Sequence, residues 1–237
     1  MSTNNESIVF IPGLALTKAV FKSQCQALSA YSILIANTCE KPSLKGIAEQ
    51  LLEEAPPQFS LVGHSMGGYV AMEIMRLAPE RVKRLALLST HAHTNTPEQL
   101  ARRKKEIQLA QRGRFVKLNI AKYSSLVAPQ NISNVKIRKA ALEMAEEIGP
   151  DVFIAQQNAL IRRPDHRGIL RDIRCPTLII VGIQDQVAPV SLANEMHSAI
   201  AGSKLELFEN CGHLSPLECP EEVNGALIQW MQAPIVV

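Results

Sequence analysis

Residues 58–78 read QFSLVGHSMGGYVAMEIMRLA, and this stretch decides the fold. The apolar run 58–62 predicts a strand. The helix expected over 66–78 places Val70, Ile74 and Leu77 on one face and stops at Pro79, which cannot continue it comfortably. Between them Gly63-His64-Ser65-Met66-Gly67-Gly68 forms a sharp turn. Small residues at 63 and 67 let strand and helix approach closely, and the turn lifts the Ser65 hydroxyl above the sheet edge. Ser65 also stands at the helix N-terminus, where the Met66 amide can meet developing negative charge. It is the candidate nucleophile. His64 reads as a packed residue of the turn rather than as a base.

Working outward, five more apolar runs predict strands at 7–12, 31–36, 84–89, 175–182 and 204–209. Several are continuous rather than alternating, as expected when helices cover both faces of a parallel sheet. Helices are expected at 17–30, 43–54, 188–200 and 220–232, so strand and helix alternate in the manner of a doubly wound α/β sheet. The alternation stops over 91–171, which holds no convincing strand. Thr96, Pro97 and Gln99 begin a helix ending near Gly113, and further helices are expected at 114–123, 131–148 and 151–162, with Gly149-Pro150 between the last two. The segment reads as an all-helical cap inserted between the fourth and fifth strands of a single domain over 1–237. It is also the basic part of the chain, with 15 Lys and Arg against 7 Asp and Glu, whereas the whole chain carries only +3.

A serine nucleophile needs a base within hydrogen-bond reach and a carboxylate to orient that base. The fifth strand runs into Gly182-Ile183-Gln184-Asp185 and the sixth into Glu209-Asn210-Cys211-Gly212-His213. Asp185 and His213 therefore arrive at the same sheet edge as Ser65, in the order serine, acid, histidine. No Asp or Glu lies between Ser89 and Thr96 to replace Asp185 from the fourth strand. The turn Pro12-Gly13-Leu14 after the first strand borders that edge, and the Leu14 amide is the candidate second donor to an oxyanion beside Met66. His91 and His93 follow the fourth strand as candidate substrate contacts. The run Arg102-Arg103-Lys104-Lys105 reads as a solvated helix face, since four adjacent charges cannot share one side of a helix.

Composition sets outer limits. No stretch approaches the roughly 20 apolar residues of a membrane helix, and the polar N-terminus lacks a basic n-region, so a cytoplasmic protein is expected. The five cysteines form no C-x-x-C pair, which suggests neither a disulfide framework nor a zinc site, and Cys211 reads as packing rather than as a rival nucleophile. Apart from the one basic run, nothing points to nucleic acid.

Together, PGL at 12–14, GHSMGG at 63–68, PERVKRLALL at 79–88, GIQDQVAP at 182–189 and CGHLSPLECPEEV at 211–223 resemble the α/β-hydrolase superfamily. Within it the chain is similar to small capped bacterial carboxylesterase-like hydrolases, a group with pimeloyl-carrier-protein methyl esterases and meta-cleavage-product hydrolases. Pro12-Gly13 stands where many relatives carry His-Gly, and the first strand corresponds to their third, for a sheet of about six strands. The resemblance implies catalytic Ser65, Asp185 and His213, an oxyanion hole from Leu14 and Met66, and cleavage of a small-molecule ester without metal or organic cofactor. A C–C hydrolase, a thioesterase and a non-hydrolytic ligand receptor are alternatives built on the same residues.

Overall fold

The computed structural model describes residues 6–235; the first five residues of the polar N-terminus and the last two of the tail lie outside them. Six strands, β1 (Ser7–Ile11), β2 (Ser32–Ile35), β3 (Phe59–His64), β4 (Val82–Leu88), β5 (Thr177–Gly182) and β6 (Lys204–Phe208), form one parallel sheet in the order β2-β1-β3-β4-β5-β6. Each corresponds to one of the expected apolar runs. The continuous character of those runs has the expected cause. In β1, Val9 and Ile11 join one core with Leu61, Leu87 and Ile179, whereas Ile8 and Phe10 join a second with Val62, Leu88 and Ile180. Alternate residues face opposite sides of the sheet, and both sides are dry.

Helices α1 (Lys22–Ala27), α2 (Leu44–Glu54) and α3 (Met66–Leu77) follow the first three strands. The Ser43 hydroxyl caps α2 by accepting from the Gly46 amide at 3.0 Å. The single helix expected over 17–30 is instead a tight 3-10 turn at Lys18–Phe21 followed by the short α1. The break falls at Phe21, whose ring packs 4.8 Å from that of Phe10. Helix α3 is buried from Met66 to Met75, not on one face alone, because it lies under α2 and under the chain that returns before β5.

Residues between β4 and β5 form α4 (Pro97–Gln111), α5 (Phe115–Leu126) and α6 (Val135–Ile161). The capping box of α4 is present in both directions, with Gln99 N–H donating to the Thr96 hydroxyl and Thr96 N–H to the Gln99 side chain. The two helices expected at 131–148 and 151–162 are joined into one kinked helix. Gly149, at φ 73° and ψ 169°, turns the axis just before Pro150. Phe115 and Phe153, with ring centroids 5.1 Å apart, centre a small core shared with Ala15. After β5 come α7 (Val190–Ala199), α8 (Ser215–Glu218) and α9 (Pro220–Gln232). Among the described residues no helix is long and apolar enough to cross a membrane.

From β1, next to the sheet edge, the chain goes outward to β2 and crosses back to β3. Strand order therefore reverses between β1 and β3, and a crevice opens at the carboxyl ends of these strands, where α/β sheets bind ligands.

Candidate active site

Ser65 follows β3 directly and has φ 52° and ψ −112°, a conformation that side-chain-bearing residues rarely adopt. Such strain costs about 1–3 kcal/mol and persists only where its surroundings over-determine it. Here the Ser65 amide donates to the Leu88 carbonyl at 2.9 Å. The Ser65 carbonyl accepts from the Gly68 amide at 3.0 Å and the Thr90 hydroxyl at 2.9 Å. Strand and helix meet backbone to backbone in this turn: a Cβ added to Gly63 would stand 2.5 Å from the Gly67 carbonyl oxygen.

The structure brings Ser65, His213 and Asp185 together. His213 Nδ1–H donates to Asp185 Oδ2 at 2.8 Å, which leaves Nε2 to accept the Ser65 hydroxyl, also at 2.8 Å. The other Asp185 oxygen accepts from the amides of Val187 and Ala188 at 2.8 and 2.9 Å. Burial works to raise the Asp185 carboxyl, but the His213 imidazole and these amides outweigh it and hold the group below its ordinary range. Asp185 is thus a fixed carboxylate behind the imidazole.

His64 is packed into the turn, as expected. Fully buried, it donates from Nε2 to the His213 carbonyl at 2.8 Å, and burial together with His213 lowers its pKa to about 3. The loop of His213 is tied to the inserted helices as well. The amides of His213 and Leu214 donate to the Leu126 carbonyl at the end of α5. Glu218 accepts from Gly212 and Leu214 with one oxygen and from Ala128 and Asn131 with the other. Glu218 gives no signal of this role in the sequence, because the partners that tie it to the inserted helices, Ala128 and Asn131, are remote in the chain.

Leu14 and Met66 both border the cavity above Ser65, and neither amide takes part in the turn and loop hydrogen bonds. The loop carrying Leu14 is held by Gln156 of α6. Its side-chain oxygen accepts from the Ala15 amide at 3.0 Å and its amide group donates to the Thr38 hydroxyl at 3.2 Å. No periodicity announces Gln156, a buried polar residue within a helix.

The cavity measures about 200 Å³ and is lined by Ser65 and His213, by Leu14, Leu126, Phe153 and Leu160, and by charged groups of α4 and α5. His91 and His93, expected to contact substrate, do not line it. His91 stands behind Tyr69: its Nδ1 accepts from the His93 amide, so Nε2–H donates to the Tyr69 hydroxyl at 2.8 Å. His93 turns away to Glu195, 2.6 Å distant. The basic run is divided. Lys104 and Lys105 are exposed as expected; Arg102, also exposed, and the half-buried Arg103 border the cavity. Cys211 is fully buried, and the Cys219 thiol and burial push it well above the ordinary thiol range, so it remains a neutral packing group. Among the described residues no three His, Cys, Asp or Glu side chains gather as a metal site requires.

These histidines make acid stability testable. Burial, with Arg163 next, lowers His91 to about 3 from an ordinary 6.5, and His64 falls as far. The unfolded chain takes up protons that the folded one refuses. The stabilisation is therefore complete above pH 6.5 and is lost as pH falls toward 3. Each group should account for about 2 kcal/mol of lost stability at pH 5. Urea unfolding at pH 7 and pH 5 should show the loss, and His91→Gln should show a smaller one. An equal loss in both proteins would rule out His91 as a source.

A model of the alpha/beta hydrolase family matches residues 8–226. The chain is 28% identical over 193 residues to a pimeloyl-[acyl-carrier protein] methyl ester esterase of Aromatoleum aromaticum, covering 76% of this chain and 77% of that one. It is 25% identical over 206 residues to a 2-hydroxy-6-oxononadienedioate/2-hydroxy-6-oxononatrienedioate hydrolase of Escherichia coli, covering 81% and 67%. Among solved structures, a thermophilic esterase from Thermogutta terrifontis superposes with a TM-score of 0.88 at 23% identity, covering 96% and 90%, a likeness of fold. A match that runs from the first strand into the last helix, on a sheet and turn of this construction, means that the chain belongs to the alpha/beta hydrolase family.

Proposed function

We propose that this protein is a serine hydrolase that cleaves carboxylic esters of small to medium acyl substrates, with residues 91–171 as the cap of a single domain. The observation that carries the reading is the unbroken hydrogen-bonded line from Ser65 Oγ through His213 to Asp185, with both links at 2.8 Å. His213 Nε2 takes the Ser65 proton as Oγ attacks the ester carbonyl. The amides of Leu14 and Met66 hold the oxyanion, and Asp185 stabilises the imidazolium. His213 then gives its proton to the departing alkoxide. Water, deprotonated by the same nitrogen, attacks the acyl-serine, and the acid leaves as Ser65 regains its proton. The relatives named for ester cleavage favour an ester over other acyl compounds.

A fluorophosphonate probe tests the nucleophile directly, since it reacts with serines activated in this way. One equivalent should attach to Ser65, located by peptide mass spectrometry. Asp185→Asn, which removes the fixed carboxylate behind His213, should slow labelling and turnover of p-nitrophenyl butyrate by about 10⁴-fold. A protein that turns over the ester but carries its label elsewhere would refute the assignment.

A further inference from the structure

The cavity lining carries more positive charge than its own carboxylate can balance. Arg102, Arg103 and Lys122 border it, with Glu106 as the only carboxylate among the lining residues. Glu106 is committed: one oxygen accepts from Lys122 Nζ at 2.8 Å and from Gln157 Nε2 at 2.5 Å. Arg103 has only neutral partners, donating from Nε to Asn95 Oδ1 at 3.0 Å and from Nη1 to Gln157 Oε1 at 2.8 Å. Its Nη2 has no protein acceptor among the described residues. Behind it, Arg163 is 3% exposed and lies 4.5 Å over the Tyr69 ring. Arg163 is bonded to the carbonyls of His93 and Thr94 and to Gln99, and its Nη1 is unpartnered.

Arg102 and Arg103 thus line the pocket with Arg163 buried behind them, and Glu106, already bonded to Lys122 and Gln157, is the one carboxylate on that lining. Burial and the charge of Arg163 lower Arg103 to about 10. An uncompensated cation in such surroundings is costly, and an anion entering the pocket would supply the missing charge. The same cavity has an apolar wall of Leu14, Leu126, Phe153 and Leu160, with Tyr69 and Tyr123 also on its lining.

From this arrangement we infer that the substrate is a monoester of a dicarboxylic acid. Its methylenes lie along the apolar wall and its free carboxylate is held by Arg103 Nη2 and Arg102, while the ester carbonyl sits at Ser65. A planar guanidinium offers the paired donors that a carboxylate accepts. The inference rests on the serine-hydrolase reading for the ester end and on the arginines alone for the carboxylate end.

The test compares mono-p-nitrophenyl esters of four- to eight-carbon dicarboxylic acids with p-nitrophenyl alkanoates of equal length. At the best length wild type should prefer the anionic ester by tenfold or more in kcat/KM. Arg102→Gln and Arg103→Met should each remove most of that preference, chiefly through KM, and Arg103→Lys should restore part of it. Lys105→Gln, on the exposed side of the same helix, should keep the wild-type ratio. Arg103 also braces the cap, so should Arg103→Met fail to fold, Arg102→Gln decides, because Arg102 has no hydrogen-bond partner among the described residues. Calorimetric titration with adipate reads the carboxylate site without turnover. Binding by wild type that Arg102→Gln weakens tenfold supports the inference even if neither ester is cleaved, an outcome that would count against the hydrolase reading alone. Turnover of neutral esters with no preference for the anionic ones, or an absence of adipate binding, overturns it.

Discussion

Ser65→Ala should cleave p-nitrophenyl esters at least about 10⁴-fold more slowly than wild type, which corresponds to over about 5 kcal/mol of lost transition-state stabilisation. Ser65 Oγ is the only hydroxyl held by His213 Nε2 among the described residues, and the nearest thiol of that loop, Cys211, is fully buried. His64 is a poor stand-in as a base, since burial and His213 lower it to about 3 and its Nδ1 holds no hydroxyl among the described residues. What survives should be the assistance of the amides of Leu14 and Met66 to attack by water. The fold should be untouched, because alanine occupies the same strained position and loses no backbone bond. The check is a steady-state assay beside a melting curve. Full activity in a protein that melts normally would end the proposal that Ser65 is the nucleophile.

The second large effect reverses an ordinary rule. Gly→Ala within a helix usually adds about 1 kcal/mol of stability. At Gly67, in the first turn of α3, the new Cβ would stand 2.0 Å from the Ile11 carbonyl oxygen and 2.7 Å from its carbon. Neither atom belongs to a flexible side chain, so helix and strand must separate. Gly67→Ala should cost about 3 kcal/mol or more. At this chain length that lowers the melting temperature by roughly 6–12 °C. Activity should fall with it, because the displaced strand leads into the loop of Leu14. Gly225→Ala in α9, where a Cβ meets nothing within 4 Å, is the control and should be neutral or stabilising. Similar melting of the two variants would show that the turn tolerates what its geometry forbids.

The turn at Ser65, all six strands and the arrival of Asp185 and His213 at one sheet edge were legible because each depends on local pattern: apolar runs, glycines, and position after a strand. The inner wall of the inserted helices was not. On α4 the inward side carries Arg103, Glu106 and Ala110, at helical spacing but mostly charged, so no apolar stripe distinguishes it from the solvated side. For the same reason Arg102 and Arg103 could not be separated from Lys104 and Lys105. His91 and His93 were drawn toward the cavity by their place after β4, but hydrogen bonds to Tyr69 and Glu195 direct them elsewhere. Those partners, like Gln156 for Ala15 and Glu218 for Ala128, lie far along the chain or on another element, beyond the reach of periodicity.

The bond from the His213 amide to the Leu126 carbonyl limits how such a protein can be altered. A cover over a pocket is the natural module to exchange when a different substrate is wanted, and the sheet beneath would accept many replacements. Here the cover also holds His213 in place. A transplanted segment that failed to offer a carbonyl where Leu126 ends α5, and an amide where Ala128 meets Glu218, would leave Ser65 in position facing a histidine free to swing. Changes of specificity in this scaffold are therefore best sought by point changes on the inner side of α4 and α6, away from the joint at the end of α5.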